Sequence, residues 1–164
     1  RRVRRKRRPL SIVRELHRHV RRGCRAERAT SPAALHCRRL ADIELHLVGQ
    51  LQSNKADEAV RLFDCVHSLD RPSLVTALAR AMDKAGRQVP CFVQVNIGEE
   101  EQKGGCTIAG LAALLAEARA AAIPLAGLMC VPPFGVEAAP YFALLAKLAD
   151  DNGLTGLSMG MREN

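Results

Sequence analysis

The sequence predicts an α/β fold of consecutive βα units around a parallel sheet, and two observations carry that prediction. From residue 40 onward, short apolar runs alternate with stretches of helical apolar spacing, giving five strand and four helix signals in strict succession. Strict alternation is compatible with an open doubly wound sheet or with a closed barrel. No Gly-x-Gly-x-x-Gly and no Gly-x-x-x-x-Gly-Lys-Ser/Thr follows any of the strands, which weakens the nucleotide-binding open sheet.

Residues 43–48 read as the first strand because apolar and polar residues alternate there, and residues 55–62 follow as a helix. Residues 65–68 form the second strand. Asp70, with Pro72 just behind it, is expected to cap a helix over residues 71–85, and Gly86 is expected to end it. Residues 92–96 are apolar and β-branched, as a buried strand requires, and residues 107–121 then repeat Leu and Ala at helical spacing. Residues 124–129 and 138–150 supply the fourth strand and helix, and residues 156–158 a short fifth strand.

The charge divides the chain in two. Of 25 Lys and Arg, 15 fall in residues 1–39 beside only Glu15 and Glu27, so this segment carries +13, whereas the remaining 125 residues carry −5. A like-charged segment with few aliphatic residues buries little, and it is expected to be a basic, disordered arm. The favoured reading is the product of GC-rich DNA read out of frame, which yields this mixture of Arg, Ala, Pro, Cys and Gly, while a nucleic-acid or anionic-membrane arm and an Arg-rich targeting peptide stay open. Residues 40–164 are then the domain. The domain itself is mildly acidic, and nucleic acid is not its expected partner.

With 48% apolar residues, 164 residues can bury one core. No apolar run approaches the roughly 18 to 20 residues that span a bilayer, so a cytoplasmic protein with no membrane partner is expected. The cysteines, Cys24, Cys37, Cys65, Cys91, Cys106 and Cys130, form no Cys-x-x-C pair and have no His at metal-ligand spacing beside them, so they read as reduced thiols, with no metal or disulfide framework. Oligomeric state leaves no trace in the sequence.

Functional groups of a βα fold lie where strands end. The exits here are polar or rich in Gly and Pro. His46, on an alternating strand, reads as a hydrogen-bonded core histidine in preference to a catalytic base. Lys55 and Glu58 read as surface charges opening a helix, and Glu99 to Lys103 as a solvated loop. Ser158 with Gly160 after a late strand is more suggestive, because barrels bind phosphate with backbone N–H groups and hydroxyls in their last loops.

Five of these segments carry a resemblance. Leu45-His46-Leu47-Val48-Gly49-Gln50-Leu51-Gln52-Ser53-Asn54-Lys55 is similar to the aromatic-His-x-x-Gly-x-Leu-Gln-x-Asn-Lys signature of the pyridoxal phosphate homeostasis protein family, departing from it at Leu45. His67-Ser68-Leu69-Asp70, Gln94-Val95-Asn96 with the Glu-x-x-Lys-Gly-Gly loop behind it, Gly127 to Pro133, and Leu157 to Met161 continue the similarity in order. His46, Gly49, Gln52, Asn54 and Lys55 are the residues of the signature itself.

The resemblance implies a partial (βα)8 barrel of the TIM type, related to the N-terminal domain of alanine racemase and holding pyridoxal 5'-phosphate (PLP) without an established reaction. In that family a lysine at the end of the first strand forms the Schiff base, an Asn in a Gly-Glu-Asn segment follows the second strand, and the last two strands supply phosphate ligands. Residues 1–39 stand where the first two features belong and contain neither. At the other end the family continues Ser-Met-Gly-Met-Ser-x-Asp and then Arg-x-Gly-Thr, whereas this chain reads Met161-Arg162-Glu163-Asn164. The implied chain is therefore incomplete at both ends, with open sheet edges. Met129 beside the ring, and Ser158, Gly160 and Met161 beside the phosphate, are its implied cofactor neighbours, with weak, non-covalent binding expected. Two other functions compete. An alanine-racemase-like enzyme needs a second acid/base group, and Tyr141 on a helix is the only Tyr. A basic nucleic-acid-binding protein rests on residues 1–39 alone. No reaction is supported by the residues present.

Overall fold

The computed structural model describes residues 44–160; the basic segment, Met161 and the three residues after it lie outside them. Five parallel strands run in the order β1 (His46–Leu47), β2 (Cys65–Leu69), β3 (Cys91–Gln94), β4 (Leu125–Cys130) and β5 (Gly156–Met159). Four helices connect them: α1 (Ala56–Leu62), entered through a 3-10 turn at Ser53–Lys55, α2 (Pro72–Ala85), α3 (Leu111–Ala120) and α4 (Ala139–Asp151). Each strand therefore pairs with the next in sequence, the order of a barrel wall rather than of a doubly wound sheet, whose strand order reverses at a switch point.

Curvature makes the same point. His67 on β2 and Ser158 on β5 lie three strand steps apart, which in a flat sheet is about 14 Å at the usual 4.7–4.9 Å spacing. Their side chains are 2.7 Å apart. The sheet is rolled as in part of a TIM-type barrel, with a concave inner face. Among the described residues β1 and β5 each have one strand neighbour, so both are edges.

The apolar core lies on the convex side. Leu45, Leu47, Val66, Cys91, Val93, Leu128 and Cys130 from the strands pack there with Val60, Leu74, Leu78, Met82, Leu115 and Leu145 from the helices. Alternation along β3 and β4 then turns Phe92, Gln94 and Met129 to the concave side. On β5 the same outer row continues as Leu157, the register partner of Leu128, and Met159, the partner of Cys130. These two are 37% and 49% exposed. None of the described helices is long and apolar enough to cross a membrane.

Two local expectations need correction. Asp70 does not cap α2; Arg71 holds the cap position in an extended conformation without a side-chain capping bond, and Asp70 pairs with the Arg71 guanidinium at 2.6 Å. Pro72 disfavours the helical region for the residue before it, so Arg71 becomes the boundary. Helix α3 begins at Leu111 rather than 107, because Thr107 forms a turn in which its hydroxyl and carbonyl both accept from the Gly110 N–H. Gly86 ends α2 as expected, at φ +58.

Candidate functional site

A line of polar side chains crosses the concave face. His46 alternates on β1 with buried Leu45 and Leu47 and so points away from the outer core, with its side chain 42% exposed. His46 Nδ1 lies 2.8 Å from His67 Nε2, and His67 Nδ1 lies 2.7 Å from Ser158 Oγ. The His67 ring is 7% exposed and stacks on Phe92 at a centroid distance of 4.5 Å. Neutral imidazole donates from one nitrogen and accepts at the other. With both rings neutral the line is satisfied in either direction: His46 to His67 to Ser158, or the reverse.

Next to Ser158, the register sets Met129 on β4 and Gln94 on β3 in one row. Met129 is buried. Gln94 Nε2 donates to the Gly104 carbonyl at 3.0 Å, while its Oε1 is buried with no hydrogen-bond partner among the described residues. An unpaired buried acceptor costs roughly 1–3 kcal/mol, a cost that a donor on a bound molecule would remove.

Above this face the strand exits are tied to one another. The Arg71 guanidinium donates to the Leu51 carbonyl at 2.8 Å, joining the exits of β1 and β2. Lys103 donates to the Pro132 carbonyl at 3.0 Å and pairs with Glu100 at 2.6 Å, joining those of β3 and β4. Asn96 closes its loop on Glu100 through both its side-chain amide and its carbonyl oxygen.

The residues singled out from the sequence divide between these two levels. Ser158, Met129 and His46 lie on the concave face, and Gly160 continues the ladder, its N–H donating to the Cys130 carbonyl at 3.0 Å. Met161 is outside the described residues. Gly49, Gln52, Asn54 and Lys55 sit in the loop above β1: Gly49 takes φ +117, Gln52 and Asn54 are exposed, and Lys55 lies 3.7 Å from Glu58. His46 is hydrogen-bonded as expected, yet it is not a core residue. Lys103, read as part of a solvated loop, is a tie between two strand exits. His67, Phe92 and Gln94 are the site residues that motif reading left without a role. Their signal in the sequence was the period-2 alternation of β2 and β3.

Burial pushes the thiols of the four described cysteines up, Cys65, Cys106 and Cys130 to about 11 and Cys91 to about 12, so these are protonated at neutral pH.

Comparison with known proteins places this geometry. Residues 14–150 match the alanine racemase N-terminal domain, a stretch that begins inside the basic segment. The pyridoxal phosphate homeostasis protein of Deinococcus radiodurans is 39% identical over 124 residues, which cover 74% of this chain and 58% of the relative. That of Pseudomonas aeruginosa is 35% identical over 134 residues, 76% of this chain and 58% of the relative. The structure of PipY from Synechococcus elongatus with PLP bound superposes with a TM-score of 0.71 at 32% identity, covering 85% of this chain and 69% of PipY. The chain thus spans a little over half the length of these two curated relatives. A rolled parallel sheet in sequential strand order, the five motifs at its strand exits and kinship at this level agree: the chain belongs to the alanine racemase N-terminal domain family, among the pyridoxal phosphate homeostasis proteins.

Proposed function

We propose that this chain is a cytoplasmic, non-catalytic PLP-binding protein of vitamin B6 homeostasis, that residues 40–164 carry this role, and that it holds the cofactor without a covalent bond. The observation that carries the reading is the concave row of Gln94, Met129 and Ser158, which combines a buried acceptor lacking a partner with a half-buried hydroxyl at the strand exits. PLP has the matching chemistry, a polar aromatic ring bearing a phosphate. Ser158 and the backbone at Gly160 would lie at the phosphate, Met129 would pack on the ring, and Gln94 Oε1 would accept from a ring donor.

The described residues fit such a non-covalent ligand, and none of the described lysines is placed for a covalent one. Lys55, Lys84, Lys103 and Lys147, the described lysines, all lie on helices, turns or loops, and the first three pair with Glu58, Asp57 and Glu100. None projects from a strand into the concave face. Neutral donors contribute only about 1 kcal/mol each net of water, so the binding is weak and readily dialysed.

The test incubates the chain with PLP, measures retention by equilibrium dialysis, then reduces with borohydride and maps pyridoxyl-lysine by peptide mass. Saturable binding that Ser158→Ala weakens, with no stoichiometric label, is expected, as is no conversion of L- to D-alanine. Stoichiometric labelling of one lysine would overturn the non-covalent reading, and labelling of Lys55 in particular would give the signature lysine a covalent role. Absence of saturable binding would overturn the function.

A further inference from the structure

The geometry points to a second site on the concave face: His46, Cys65 and His67 form a three-ligand pocket for a divalent transition-metal ion of the zinc class, with one coordination position left to solvent. The placement follows from register. His46 and Cys65 are direct Cα partners across the β1–β2 pair, and His67 follows Cys65 by two residues, a spacing that the reading of the cysteines from the sequence did not count as metal-ligating. All three side chains therefore leave the same face of one ladder. One ligand atom from each lies within 4.8 Å of the others.

Tetrahedral zinc with nitrogen at 2.0–2.1 Å sets its imidazole nitrogens about 3.3 Å apart. The 2.8 Å between His46 Nδ1 and His67 Nε2 is close to that, so the two rings need to part by only about 0.5 Å, and His46, on the solvent side, is free to give it. His67 already has an outer partner. With Nδ1–H donated to Ser158 Oγ at 2.7 Å, its Nε2 lone pair is turned toward His46, the tautomer a ligating imidazole needs. Stacking on Phe92 fixes the ring plane.

Two imidazoles and a thiolate suit zinc or cobalt and not magnesium or calcium, which take oxygen ligands. Binding transfers the Cys65 thiol proton to solvent, and the resulting thiolate offsets one of the two metal charges. Glu44, whose carboxylate lies 3.8 Å from His46 Nε2, adds negative charge at the entrance. A buried thiol beside a hydrogen-bonded histidine pair also occurs as plain packing, in which the cysteine acts as a small apolar residue. The two accounts differ in what Cys65 and His46 do to metal affinity.

The experiment titrates the full-length chain, free of PLP, with Co2+ under reducing conditions and follows the thiolate-to-cobalt charge-transfer absorption, then displaces the cobalt with Zn2+. One equivalent should develop the band. Cys65→Ser should abolish it, His46→Ala should weaken binding about 100-fold, and Ser158→Ala about tenfold with the band retained. His17, His19, His36, Cys24 and Cys37 also carry donors, so a band that survives both Cys65→Ser and His46→Ala places the metal elsewhere and overturns the proposal, as does the absence of any band in the parent chain. Far-UV circular dichroism checks folding of each variant. Should Cys65→Ser fail to fold, the half-exposed His46→Ala decides alone: unchanged affinity overturns the site.

Discussion

Gly127→Ala tests whether the close approach of β4 and β5 builds the concave face. A Cβ at Gly127 would stand 1.9 Å from the Gly156 carbonyl oxygen and 2.4 Å from its carbon, and one at Gly156 would stand 2.0 Å from the Ala126 oxygen. Real Cβ contacts do not fall below 3.0 Å, and the obstacle is backbone in a paired strand, so β5 must retreat by about 1 Å. Overpacking of this kind costs roughly 1–3 kcal/mol. The shift also strains the ladder from Gly127–Gly156 to Cys130–Met159, where each weakened hydrogen bond forfeits up to about 1 kcal/mol. About 3 kcal/mol in total is expected. With a urea slope of about 2 kcal/mol/M, the unfolding midpoint should fall by about 1.5 M. The chain has no Trp, so the assay is far-UV circular dichroism against urea. The same retreat should draw Ser158 away from His67 and reproduce the loss of metal affinity expected for Ser158→Ala. A midpoint within about 0.3 M of the parent would refute the reasoning, because it would mean that the strands part at no cost.

Two further outcomes follow from interactions away from that seam. Asp64 accepts from the Leu45 N–H at 2.9 Å and pairs with Arg87 at 2.5 Å, tying the start of β1 to the segment after α2. Both partners of the ion pair are about one-third exposed, so most of the cost of Asp64→Ala comes from the backbone bond. About 1.5 kcal/mol, or roughly 0.7 M in urea midpoint, is expected, and no change would show the tie to be idle. Cys91 and Cys130 are raised from 9.0 to about 12 and about 11 by burial, so native alkylation at pH 8 should be slow and become fast in urea. Because the folded values lie above the unfolded one, these thiols favour the native state fully below pH 9, and stability should decline as pH rises from there through 11 to 12. Fast native labelling of either residue, mapped by peptide mass, would contradict the burial assignment.

The order of elements was legible because each signal was local. Alternating apolar residues, helical Leu and Ala spacing, and Gly86 as a terminator each depend on a few neighbours, and the elements fall within a few residues of their expected bounds. Capping at Asp70 was misread because the constraint that Pro72 places on Arg71 outweighs the capping preference of Asp70. His67 could not be linked to Ser158 from the sequence: 91 positions separate them, and only the roll of the sheet brings them together. Period-2 alternation says that two faces exist, but it does not say which is concave. The unpaired Gln94 oxygen was equally hidden, since satisfaction of a side chain is a property of the packed structure.

What the motifs encode also becomes clear from particular contacts. Gln50, inside the signature, lies over Gly104, where a Cβ would come within 1.9 Å of its side-chain amide nitrogen, so the glycine of the β3 loop makes room for the β1 loop. Gly98 does the same for Pro133, whose ring carbon would be 2.5 Å from a Cβ. Arg71 fastens Leu51, and Lys103 fastens Pro132. Each tie joins two of the strand exits at which the stretches that mark the family lie. Those stretches therefore specify a rigid rim at the strand exits, whereas the groups suited to hold a ligand or a metal ion lie on the face below it, in positions that alternate with core residues along the same strands. These ties join the exits of β1 to β4, while β5, which carries Ser158, is held through its ladder to β4. The signature Lys55, held near Glu58 at the opening of α1, lies in the loop above β1 and not on the concave face.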